Sequence, residues 1–164
     1  MANIILLFGI FTESALIISS QAIGVLLVQV LWVVDFLSGA LMGNHLIGGT
    51  EYMFDTQVSL WLRALSLFHV AIPPLLVFAL YRLGYDRRGL PLETLIIWVL
   101  LPITFLFTAP ELNINWLDSP FGHPQSTFSP LAFTGIMMLA YPIVLFLPTH
   151  WCLTRMFRPT EIQA

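Results

Sequence analysis

The sequence predicts an all-α, polytopic transmembrane helical bundle, and three observations carry that prediction. Hydrophobic residues make up 58% of the 164 residues, and charged residues only 9%. An ordinary soluble domain is about 25% charged. Mean hydropathy is +0.88, and the apolar residues gather into five runs, most of them near or above the ~20 residues that a helix needs to cross about 30 Å of hydrocarbon. A soluble globule of this size has no interior large enough for so much apolar surface; lipid as solvent removes the problem. Without an internal repeat, low-complexity tract or long linker, residues 1–164 read as a single transmembrane domain.

The first run covers residues 3–18 and is interrupted by Glu13. It is the shortest, so the bundle has five spans if it crosses and four if it lies as a re-entrant or interfacial helix. No basic residue occurs before Arg63, so this segment lacks the positive start of a signal peptide and is expected to be retained. The second run, 21–43, contains Gln29 and Asp35 and ends in a Gly39/Gly43 GxxxG pattern, a candidate helix contact. The third, 57–83, is followed by Gly84, where a helix-terminating glycine belongs. The fourth, 91–108, opens on Pro91 with Glu93 in its expected first turn, favourable to the helix dipole. The fifth, 130–147 or on to 157, opens on Ser129-Pro130, a capping serine and a first-turn proline. Pro73-Pro74, Pro102 and Pro142 fall inside runs and predict kinks.

Arginine sets the expected orientation. Arg82, Arg87 and Arg88 flank the short connection between the third and fourth runs, and Arg155 and Arg158 follow the fifth. The two longer connections, 44–56 and 109–128, hold no Lys or Arg but carry Glu51, Asp55, Glu111 and Asp118. The positive-inside rule places the short loop and the C-terminus in the cytoplasm, with two ordered loops outside and the N-terminus outside if five helices span. Arg87 and Arg88 are the candidate contacts to lipid headgroups or a cytoplasmic partner. In the outer loops Tyr52, Asp55, Trp116 and Phe121 are the candidate partner contacts, because long loops rich in Pro, Asn and aromatics tend to be functional.

Ionisable residues inside hydrocarbon cost about 2.5–3.5 kcal/mol on insertion scales and need a partner or a purpose. Glu13, Asp35, Arg63 and His69 are the four. Counting 1.5 Å per residue from the outer ends puts Asp35 about 12 Å and Arg63 about 9 Å deep on consecutive antiparallel helices, which predicts an Asp35–Arg63 ion pair. His69 falls near the midplane, with Glu13 at a similar depth. His69 is expected to bond a neighbouring helix, with a ligand or pigment contact and a proton carrier left open; Gln29 is expected to make a similar interhelical bond.

Catalytic signatures are absent. Cys152 is the single cysteine, which rules out an intrachain disulfide or a CxxC site. The four histidines show no HxxH, HExxH or ExxH spacing, and GxSxG, P-loop and GxGxxG motifs are missing. Ser19, Ser20 and Cys152 have no base nearby in sequence. An enzyme is not expected, no metal site or cofactor is specified, and nucleic acid is not among the expected partners. A surface metal site from His45, Glu51, Asp118 and His123 stays geometrically open.

The stretches LWVVDF, EYMFD, LRALSLFHVAIPPLL, YRLGYDRRGLPLETL, NINWLDSPFG and PTHWCL resemble a family of small, uncharacterised bacterial multispanning membrane proteins, over about residues 24–157. The resemblance implies a bacterial inner-membrane location and carries no activity or site residue. The expectation is an accessory or structural subunit of a larger membrane complex, bioenergetic or photosynthetic, in contact with lipid and other subunits. The alternative is a small transporter or transport component using Asp35, Arg63 and His69.

Overall fold

A computed structural model describes residues 2–120 and 124–159. Among the described residues seven α-helices run in chain order: α1 (Ala2–Phe11), α2 (Ala15–Met42), α3 (Leu60–Leu65), α4 (Phe68–Leu83), α5 (Gly89–Phe107), α6 (Pro130–Ala140) and α7 (Leu147–Met156). Four stretches are long and apolar enough to cross a membrane: α2, α3 with α4, α5, and α6 through α7. Of the two counts the sequence left open, the four-span bundle is the one adopted.

The first run is not one rod. Helix α1 stops at Phe11, and Thr12–Ser14 turn the chain back, with Glu13 at φ +48°. The Ser14 hydroxyl then accepts the Ile17 N–H at 3.4 Å and caps α2. Ten residues rise only about 15 Å, half the hydrocarbon thickness, so α1 lies along α2 without crossing. Ser19 and Ser20, which fall between the first two predicted runs, and Gln21, the expected start of the second, are buried within α2.

Helix α2 is the axis of the bundle, packed against α1, α4, α5 and α7. Its Ile18, Ala22 and Ile23 meet Leu76, Leu80, Ile97, Leu101, Phe146 and Leu153 in the core. Hydrophobic burial does not drive helices together in lipid; close backbone packing and hydrogen bonds do. Gly89 shows this at the α2–α5 contact, where a Cβ would stand 2.8 Å from the Ser20 nitrogen.

The α4–α5 turn fastens one end of the bundle. The Asp86 N–H donates to Ser19 Oγ at 2.9 Å, the Tyr85 N–H to the Arg158 carbonyl at 2.9 Å, and the Tyr85 hydroxyl meets His150 Nδ1 at 2.6 Å. Asp86 accepts from the Arg88 backbone and guanidinium, and that guanidinium holds its carboxyl below the usual carboxylate range.

Prolines act as expected in one place and differently in another. Pro142 cannot donate to the Met138 carbonyl; the chain passes through a π-helical turn at Tyr141–Phe146, and the Trp98 indole N–H bonds that carbonyl at 2.8 Å. Pro73 and Pro74 deprive the His69 and Val70 carbonyls of their donors, but α4 continues through both prolines and the break falls earlier, at Ser66–Leu67.

Candidate functional site

Three polar assemblies lie within or against the spans. The first surrounds Asp35, which is 1% exposed and two turns before the end of α2. The loop after α2 folds back onto it. Asp35 Oδ1 accepts the backbone N–H groups of Ile47 (2.7 Å) and Gly48 (3.2 Å); Oδ2 accepts the N–H of Gly49 (3.1 Å) and the Thr50 hydroxyl (2.6 Å). His45 Nδ1 lies 3.0 Å from Thr50 Oγ1 and 3.4 Å from Asp35 Oδ2. Successive N–H groups converging on an anion form a nest, and Gly48 at φ +85° supplies the left-handed residue that this curvature needs. Irregular backbone at this depth is tolerated only where protein satisfies it, and the carboxylate does so.

The expected Asp35–Arg63 ion pair is therefore absent. Asp35 is already saturated by its own loop, and Arg63 reaches the Met53 carbonyl at 3.3 Å through Nη1, its buried Nε having no partner among the described residues. Matched depth placed both near the same level but did not fix the direction in which either pointed. The GxxxG glycines do not form a helix contact either. Gly39 makes room for the His45 and Phe54 rings, and Gly43 ends α2 at φ +66°.

The second assembly is His69, with Nδ1 against Gln29 Oε1 of α2. Its ring stacks between Trp32 (centroids 4.5 Å apart) and Phe68 (4.0 Å), which covers both faces. Glu13 does not approach it; that residue sits in the α1–α2 turn, near Arg82 at the opposite end of α4. Gln29→Leu is expected to cost about 0.6–1.7 kcal/mol, the range for interhelical hydrogen bonds in membranes. Thermal unfolding in detergent checks it, and an unchanged midpoint would contradict the bond.

The third assembly was not anticipated. Helix α5 begins at Gly89, half a turn earlier than expected, so Glu93 belongs to its second turn and is buried, 7% exposed. Glu93 Oε2 accepts the Ser20 hydroxyl at 2.6 Å and the Gln21 amide at 3.2 Å. Oε1 lies over Gly24, where a Cβ would stand 2.1 Å away. Glu93, Gly24 and Gln29 line a cavity of about 320 Å³ together with Asn115, Trp116, Tyr141 and Phe146.

The 110–120 loop supplies two of those lining residues. Asn115 (φ +57°) and Trp116 (φ +56°) take left-handed conformations that turn the chain onto the helix ends. Asn115 Nδ2 donates to Thr104 Oγ1 at 2.8 Å, and its carbonyl accepts the Tyr141 hydroxyl at 3.1 Å. Trp116, a candidate partner contact, lines this cavity. Tyr52 is half-buried, Asp55 is exposed and accepts the Gln57 N–H at 2.8 Å, and Phe121 and His123 lie outside the described residues.

No family model, curated protein or solved structure matches the chain. Geometry alone must therefore carry any reading of what these groups do. The cavity sets the Glu93 carboxyl between walls of Val25, Val28, Ile97 and Leu100. Among the described residues no group of three or more His, Cys, Asp or Glu side chains converges to hold a metal ion. The signal for this site was the Ser19-Ser20-Gln21 triplet: adjacent polar residues in an apolar stretch need buried partners, and Glu93 is the partner of Ser20 and Gln21 while Ser19 accepts the Asp86 N–H.

Proposed function

We propose that this chain is a small membrane carrier, or the solute-binding component of one, whose working site is the cavity beside Glu93. One observation carries the reading. A carboxyl group is held inside a span, with one oxygen engaged by Ser20 and Gln21 and the other on the wall of a 320 Å³ cavity. An intramembrane ionisable group is a functional-site candidate by default, and this one borders space rather than a counter-ion. A carboxyl group among largely apolar walls favours a small cation or amine with apolar substituents. The π-helical turn at Tyr141–Phe146 contributes two of the lining residues, and such turns recur at functional sites.

The test is thermal unfolding of the purified protein in mild detergent against sodium, tetramethylammonium, ethylamine and spermidine, followed by uptake of any stabilising probe into proteoliposomes. At least one probe is expected to raise the midpoint in the native protein and not in Glu93→Gln. An equal response in both, or none in the native protein, overturns the reading. Stoichiometric retention of other polypeptides in native mass spectrometry, without any probe response, favours the subunit of a larger membrane complex instead.

We infer further that the membrane is the bacterial inner membrane and that the arginine-rich end faces the cytoplasm. Five of the six arginines cluster at that end, and Arg63 is the exception. In a Cys152→Ser background, Gln125→Cys should react with an impermeant maleimide in intact cells and Arg158→Cys only after lysis. The reverse pattern inverts the topology.

A further inference from the structure

The arginine-bearing end carries a second site, separate from the Glu93 cavity. Arg87 and Arg88 are adjacent in sequence but not equivalent. Arg88 is spent on Asp86, which it contacts through Nε and Nη2 at 2.7–3.2 Å. The Arg87 guanidinium makes no hydrogen bond or ion pair among the described residues, and it borders a groove of about 420 Å³ whose other wall is α7. That wall consists of Leu147, His150, Trp151 and Thr154.

His150 is oriented for the groove by Tyr85. Burial pushes the Tyr85 phenol up, so it keeps its proton, and its hydroxyl stands 2.6 Å from His150 Nδ1, which holds the ring in place. In the tautomer where Tyr85 donates, the imidazole hydrogen is on Nε2 and presents a donor edge. A second cation stands close by, the Arg155 guanidinium held 3.6 Å above the Trp151 ring. With Asp86 neutralised by Arg88, the groove has cationic and neutral donors and no free carboxylate on its walls.

Its position selects the ligand. The groove lies where the last turns of a membrane-crossing segment leave hydrocarbon, the level of phospholipid headgroups, and Trp151 is the type of residue that anchors there. Below it, Leu147 (48% exposed) and Val144 (62%) continue as an apolar, lipid-facing strip. Donors above such a strip suit a phosphodiester attached to acyl chains, and basic pockets between helices at an interface bind anionic headgroups. We propose that this groove is a binding site for an anionic phospholipid, with its phosphate between Arg87 and His150 and an acyl chain along Leu147.

The experiment is lipid titration of the purified full chain in a neutral maltoside detergent, read by native mass spectrometry and thermal unfolding. The probes are phosphatidylglycerol, phosphatidylcholine and inorganic phosphate. Phosphatidylglycerol is expected to bind and stabilise, and Arg87→Gln to weaken that binding about fivefold. Arg87→Lys should restore most of it, which separates loss of charge from misfolding. Arg82→Gln, on an exposed arginine that does not border this groove, should leave it unchanged. Equal binding of phosphatidylcholine, equal stabilisation by inorganic phosphate, or unaltered binding by Arg87→Gln overturns the proposal.

Discussion

Replacing Asp35 with alanine is expected to destabilise the protein by about 3–5 kcal/mol, the range for removing the charged partner from a buried polar cluster. The side chain holds four donors from one loop: the N–H groups of Ile47, Gly48 and Gly49, and the Thr50 hydroxyl. Hydrogen bonds to a charged group contribute about 1.5–3 kcal/mol each, and losing the acceptor leaves every donor facing a poorly hydrated environment. Asp35→Asn should cost less than alanine, because one carbonyl oxygen remains, but its amide hydrogens would oppose a backbone donor. Thr50→Ala removes a single bond and should cost about 1–2 kcal/mol. Thermal unfolding gives the ranking, and limited proteolysis localises the damage to residues 43–56. If Asp35→Ala unfolds like the native protein and the loop stays resistant, the carboxylate does not organise it.

Gly24→Ala is expected to cost about 3 kcal/mol, an unusually large effect for one added methyl group in a membrane helix. The new carbon would stand 2.1 Å from Glu93 Oε1 and 2.6 Å from its carboxyl carbon. Such overlap forces either a helix displacement, at about 1–3 kcal/mol for overpacking, or rotation of the carboxyl group away from Ser20 and Gln21. A double-mutant cycle decides the matter. Glu93→Ala removes the obstacle, so adding Gly24→Ala to it should cost far less than in the native background. Additive effects would mean that the two residues do not touch.

The spans were readable because their length and hydropathy leave few alternatives. Several ends were too: Gly84 follows α4 at φ +79°, and Ser129 caps α6 by accepting the Ala132 N–H at 3.3 Å before Pro130. The turn at Thr12–Ser14 was obscured because equally apolar residues lie on either side, so Glu13 passed for an interruption inside a rod. The direction in which buried groups point was illegible for a different reason. A membrane helix is apolar toward lipid and toward its neighbours, so hydrophobic periodicity does not separate inner from outer faces. Depth could be counted for Asp35 and Arg63, but azimuth could not, and Asp35 turned to its loop. Glu93 was read only as a first-turn acid favourable to the dipole; α5 starts two residues earlier, and the inward direction of its side chain was as illegible as that of Asp35.

The π-helical turn has a consequence for the segment that follows it. Each residue advances a regular helix by about 100°, so the widened stretch at 141–146 sets the azimuth of everything downstream. Deleting a residue from α6 while the widened turn persists would swing α7 through roughly that angle. His150 would leave Tyr85, Leu153 would rotate out of the core, and a neighbouring side chain such as Trp151 or Thr154 would be driven inward. The last span thus behaves like a key cut for one rotational setting, which makes its length far less forgiving than its greasy, permissive composition suggests.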